Sequence, residues 1–145
     1  MNAIDKTAPS QTEFSLEFDL HHPPQKVWRA LTDPVLLTEW LLPVVELKLE
    51  PGAAFRFEAP PQLGWDGRVS CRMLEIEPQR KLSCTWVVGD MDTVVTFTLD
   101  PTPSGTRLSI VQSGFRSDQK HNFGGARYGW RRMGGRLVDL LPTIP

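Results

Sequence analysis

Apolar and polar residues alternate or recur with clear periods along most of the chain. Phe14, Leu16, Phe18 and Leu20 alternate with Ser15, Glu17 and Asp19, the period of two that marks a half-buried strand. His21–Pro24 ends that strand, and Pro24 suits the first turn of a helix. Val27, Ala30 and Leu31 then recur at helical spacing. Asp33–Pro34 is a second start signal, an N-cap acid followed by proline, with Leu36, Leu37, Trp40 and Leu41 as the apolar face. After Pro43, Val45, Leu47 and Leu49 alternate, then Phe55 and Phe57 beyond the Pro51–Gly52 turn. A longer strand is expected over 67–77. Its apolar set shifts from odd positions (Val69, Cys71, Met73) to even ones (Leu74, Ile76), as a β-bulge would cause. Leu82, Cys84 and Trp86, then Val95, Phe97 and Leu99, then Leu108, Ile110 and Gln112 complete the set, with turns at Gly89–Asp90 and over 101–105.

This predicts an α+β protein: a seven-stranded curved antiparallel sheet, two short helices after the first strand, and a long C-terminal helix. Short turns make neighbouring strands antiparallel, and an apolar sheet face has to be covered. Only the last helix is large enough, through Trp130, Met133, Leu137, Leu140 and Leu141 at three- and four-residue spacing. Residues 12–142 read as a single domain, and the polar stretch 1–11 as a flexible leader.

Composition narrows the function classes. A chain of 145 residues with 40% hydrophobic and 23% charged residues has the makings of one core. A formal net charge of −1 argues against an electrostatic binder of nucleic acid or anionic membrane. No apolar run reaches signal-peptide or membrane-spanning length, so a cytoplasmic location is expected. The two cysteines fit a reducing compartment. A hairpin turning near Pro78–Arg80 would pair Cys71 with Val87 and Cys84 with Leu74, so the thiols should be free and should not face each other.

Candidate chemistry is sparse. His21 and His22 are sequence neighbours and point apart; His121 is expected in a loop, and none has a cysteine or carboxylate at zinc-ligand spacing. Asp66, beside Trp65, is the acid best placed for proton abstraction, yet nothing pairs with it by spacing. Gly129, Gly134 and Gly135 each cost roughly 1 kcal/mol in a helix interior. They suit either close approach to the sheet, room for a bound molecule, or a helix that starts only after Gly129. Gly124–Gly125 reads as a hinge loop. Gln112 falls on the inward face of its strand and needs partners there, either protein groups or a ligand. Nucleotide-binding motifs are absent.

The order Ala30-Leu31-Thr32-Asp33-Pro34 with Trp40, Leu82-Ser83-Cys84-Thr85-Trp86, Gly105-Thr106-Arg107-Leu108 into Ser113-Gly114-Phe115, and Gly129-Trp130 resembles the START-like (SRPBCC) superfamily with its helix-grip fold. Within it, the chain is most similar to the activator of heat shock protein 90 ATPase homologue family, over about residues 13–141. It departs in having Gln112 where members often carry histidine, and in the glycines of the last helix. The resemblance implies a cavity between sheet and helix. Its expected lining is Trp40, Phe57, Trp65, Trp86, Phe97, Ile110, Gln112, Trp130, Met133 and Leu137, with the mouth near Trp65 and Gly124–Gly125. The implied function is non-catalytic binding of a small apolar or amphipathic molecule, with no cofactor or metal. The alternatives are a co-chaperone that stimulates the heat shock protein 90 ATPase, and a cyclase or isomerase using a pocket acid such as Asp66.

Overall fold

Glu13–Leu20 is the strand the alternation predicts: Phe14, Leu16, Phe18 and Leu20 are buried, and the residues between them are not. The computed structural model describes residues 12–145 and, as backbone, the strand Ala3–Asp5. In chain order the elements are β1 (Ala3–Asp5), β2 (Glu13–Leu20), α1 (Pro24–Thr32), α2 (Pro34–Trp40), β3 (Val44–Val45) and β4 (Ala54–Glu58). There follow β5 (Arg68–Glu77), β6 (Lys81–Val88), β7 (Met91–Thr102), β8 (Gly105–Ser113) and α3 (Lys120–Leu140). The strands form one antiparallel sheet in the order β1-β2-β8-β7-β6-β5-β4-β3. The seven expected strands are all present. Ala3–Asp5 adds a short edge strand beside β2, in a stretch the sequence reading left unstructured. The rest of the leader expected over 1–11 lies outside the described residues.

Local signals account for most boundaries. The Asp33 carboxylate accepts the Val35 N–H at 2.9 Å, capping α2, and Pro34 occupies its first position. The expected bulge lies in β5: Met73 faces Cys84, Glu75 faces Ser83, and Leu74 is the extra residue, left exposed. Two expectations are corrected. The strand through Val45, Leu47 and Leu49 stops at Val45, because Glu46 takes φ 60° and turns the chain out of the ladder. The last helix begins at Lys120, so Gly124–Gly125 and His121 lie in its first turns rather than in a hinge loop. Burial overrides the glycine penalty there: Phe123 packs edge-on against Phe14 (5.4 Å) and Phe115 (5.2 Å).

Helix α3 lies across the inner face of the sheet with Phe123, Trp130, Gly134 and Leu137 buried. Gly134 meets the Phe18 ring so closely that a Cβ would overlap it, whereas Gly124 has open space around it. Gly134→Ala is therefore expected to destabilise the protein by about 1–3 kcal/mol through overpacking. Gly124→Ala should stabilise it by roughly 0.5–1 kcal/mol through helix propensity. Urea unfolding of the two variants beside the native chain measures both, and equal shifts in one direction would contradict the packing described.

Candidate functional site

The space between sheet and helix divides into a filled interior and an open cleft. Inside, Trp86 packs on Phe57 (5.3 Å) and Trp130 (5.1 Å), and Trp130 meets Phe97 edge-on at 5.6 Å. On the side of the short helices a void of about 20 Å³ remains, lined by Leu31, Leu37 and Leu41 together with Phe55, Phe57, Cys84, Trp86, Phe97 and their neighbours on the sheet. It has room for about one water.

Beside it lies a cleft of about 520 Å³. Its walls are the loop 62–65, Val69, Trp86, Val88 and Met91 from the sheet, and His121, Asn122, Gly125, Ala126, Gly129 and Met133 from α3. Of the residues near which a mouth was expected, Trp65 and Gly125 are on its lining and Gly124 is not. The loop is a miniature hairpin. Gln62 and Trp65 exchange both backbone hydrogen bonds (2.8 and 3.0 Å), and Gly64 takes φ 82° at the turn. Gly67, at φ 86°, lies so close to the Ala59 carbonyl that no Cβ fits. The Trp65 indole N–H donates to the Arg68 carbonyl at 3.1 Å. Both ties hold the half-buried Trp65 ring at the cleft edge.

The ten residues expected to line a cavity separate accordingly. Trp65, Trp86 and Met133 line the cleft; Phe57, Trp86 and Phe97 line the void. Trp40, Ile110, Gln112, Trp130 and Leu137 line neither space and are fully buried core. The Trp40 indole N–H donates to the Ala30 carbonyl at 2.8 Å. Gln112 is satisfied by protein groups. Trp130 Nε1 donates to Gln112 Oε1 (2.9 Å), Gln112 Nε2 donates to Thr93 Oγ1 (2.9 Å), and the Thr93 hydroxyl donates to the Trp86 carbonyl (2.7 Å).

Sequence reasoning missed the cleft residues His121, Asn122, Ala126, Val88 and Met91. The helical spacing 122, 126, 129, 133 carried the signal, masked by the expectation of a late helix start. Asp66 is exposed, its carboxylate accepts the Arg68 N–H at 3.0 Å, and it does not line the cleft.

The cysteine register is corrected by one residue. Ser70 faces Val87 and Met73 faces Cys84, which sets Cys71 and Cys84 diagonally on the same buried face. They are free thiols, as expected, and diagonal to each other rather than directly opposite. A hydrogen bond shared with Cys84, then burial, push the Cys71 thiol far above its ordinary value.

An antiparallel sheet closed over one long C-terminal helix, with a cleft where the two part, defines a helix-grip protein of the START-like superfamily. The family model described as Activator of Hsp90 ATPase homolog 1-like protein matches residues 21–142, and the chain belongs to that family. The chain is 41% identical to protein MLL2253 from Mesorhizobium loti, with a TM-score of 0.84 over 92% of this chain and 98% of that one. It is 30% identical to CV1439 from Chromobacterium violaceum, with a TM-score of 0.73 over 90% of this chain and 97% of that one. CalU16 from Micromonospora echinospora shares the fold at 22% identity, with a TM-score of 0.75 over 97% and 83% of the respective chains. No curated protein matches the chain significantly.

Two outcomes are expected. Gln112→Leu leaves the buried Trp130 N–H without its acceptor and should cost about 1–3 kcal/mol in urea unfolding. The Cys71 thiol keeps its proton in the folded state at pH values where the unfolded thiol, near its ordinary 9.0, loses it. Stability is thus whole below that pH and falls as pH rises above it, by up to about 1.4 kcal/mol per pH unit. Unfolding at pH 8 and 10 should show a steeper fall in the native chain than in Cys71→Ala; parallel slopes would disprove the assignment.

Proposed function

We propose that the protein binds a small apolar or amphipathic molecule, without transforming it, in the cleft between the loop 62–65, the sheet and the first half of α3. The supporting observation is the cleft. Its volume of about 520 Å³ lies within the roughly 300–1,000 Å³ usual for small-molecule sites. Its floor is apolar (Val69, Trp86, Val88, Met91, Met133), while Gln62, His121 and Asn122 give the rim hydrogen-bonding groups. No lysine, arginine, aspartate or glutamate is among the lining residues, which favours a largely apolar, neutral ligand. Membership of a family whose fold commonly holds ligands in a cavity supports the same reading. The cleft gives catalysis through Asp66 no support, since that carboxylate is turned to its own loop backbone.

Neutral N-phenyl-1-naphthylamine is a suitable first probe, because a dry apolar cleft raises its fluorescence and Trp65 and Trp86 lie within energy-transfer range. Binding should be saturable and raise the melting temperature. Trp65→Ala should weaken it about tenfold through lost aromatic contact while leaving the fold intact, since Trp65 is half-buried at the edge. Absence of saturable binding by this probe, and by neutral aromatic and long-chain alcohol panels in native mass spectrometry, would overturn the proposal.

A further inference from the structure

Three tryptophans are buried, and two have hydrogen-bond partners for their indole N–H: Trp40 donates to Ala30 and Trp130 to Gln112. Trp86 is also buried, with 6% of its surface exposed, yet its Nε1 donates to nothing among the described residues. A buried indole N–H ordinarily finds an acceptor, because leaving it dry and unpaired costs free energy. Among the described residues, no fully sealed side-chain nitrogen or oxygen lacks a partner. The Trp86 N–H therefore opens onto space, and the spaces its side chain borders are the cleft and the single-water void.

The ring carrying this donor is well fixed. The ring packs at a tilt against Phe57 and Trp130, and the residue's backbone carbonyl accepts the Thr93 hydroxyl. Val69, Val88, Met91 and Met133 line the cleft together with this ring, and none of them carries a polar side chain.

We propose that the Trp86 indole N–H is the donor that recognises the cleft ligand, and that the ligand is a neutral, largely apolar molecule carrying a hydrogen-bond acceptor such as a ketone, ester or ether oxygen at its inner end. This rests on the reading of the cleft as a binding site and adds the ligand's chemical class. Apolar surface fills the cleft, and one inward oxygen meets the one free deep donor. A pure hydrocarbon leaves that donor unpaired, and a carboxylate would be desolvated with no lysine or arginine on the lining to meet it.

The test compares 2-acetylnaphthalene with 2-ethylnaphthalene, which match in shape and differ in the acceptor. The native protein should prefer the ketone by about three- to tenfold in Kd, the effect of one neutral hydrogen bond. Trp86→Phe keeps an aromatic ring and removes the donor, so the two affinities should become equal. A variant that fails to fold is bypassed by NMR of the native protein labelled with 15N-tryptophan. The Trp86 indole proton, assigned through its contacts with Phe57 and Trp130, should move downfield with the ketone and not with the hydrocarbon. Both probes binding equally to the native protein, with no such shift, sinks the donor assignment and leaves the cleft reading standing. Neither probe binding sinks both.

Discussion

The buried chain from Trp130 through Gln112 and Thr93 to the Trp86 carbonyl fixes how the helix sits on the sheet. A helix resting on an apolar face through dispersion alone has several nearly equivalent positions. A buried amide removes that freedom, because each of its groups has to meet one complementary group. The net gain from each bond is only about 1 kcal/mol, but an unmet donor in this core costs about 1–3 kcal/mol. The penalty for the wrong seat does more to select the register than the bonds do to strengthen it. Gly134 against the Phe18 ring supplies a second pin, one turn further along the helix. Together they set the rotation of α3, turning Phe123, Trp130 and Leu137 inward and Asn122, Ala126, Gly129 and Met133 to the cleft.

This seating explains why the interior is filled and the mouth is open. Around the pinned segment, Phe57, Trp86, Phe97 and Trp130 meet with ring centroids 5.1–5.6 Å apart and consume the space that a deep cavity would need. On the cleft side, α3 presents Gly125, Ala126 and Gly129, which project little or nothing. The glycines flanking the pin thus do two jobs: Gly134 permits close approach, and Gly129 leaves room. Trp86 stands where the filled and open regions meet and belongs to both.

Much of this was legible in the chain. Alternation located every strand of the sheet except the short edge strand Ala3–Asp5, the phase switch after Met73 located the bulge, and Asp33–Pro34 located a capped helix. What failed did so for identifiable reasons. Alternation continued through Leu47 and Leu49, but it does not encode the left-handed backbone at Glu46 that ends the strand. Helix propensity placed the start of α3 too late, because burial of Phe123 is a tertiary term that no local scale contains. The thiols were misplaced because pairing was counted from the hairpin turn without the bulge's extra residue. In the site, period and spacing identified the inward face, and Trp65, Trp86 and Met133 came out at the cleft. The same pattern could not separate them from Trp40, Ile110 or Leu137, since cavity lining and packed core obey one rule of burial. That separation depends on where side chains from distant strands meet, as Trp86 and Trp130 do.

If the cleft binds a ligand as proposed, the work of recognition is divided unevenly. Each methylene buried contributes about 0.8 kcal/mol, whereas one neutral hydrogen bond contributes about 1 kcal/mol. Affinity therefore grows mainly with how much of the roughly 520 Å³ is filled. Orientation is another matter. For a ligand bound as proposed, the apolar walls would accept several poses at similar free energy, and the Trp86 donor would distinguish the pose that satisfies it from those that bury it unpaired. The pinned helix serves this discrimination directly. The Gln112 chain that seats Trp130 also ends on the Trp86 backbone carbonyl, and the Trp130 ring it seats packs against the indole that would orient the ligand.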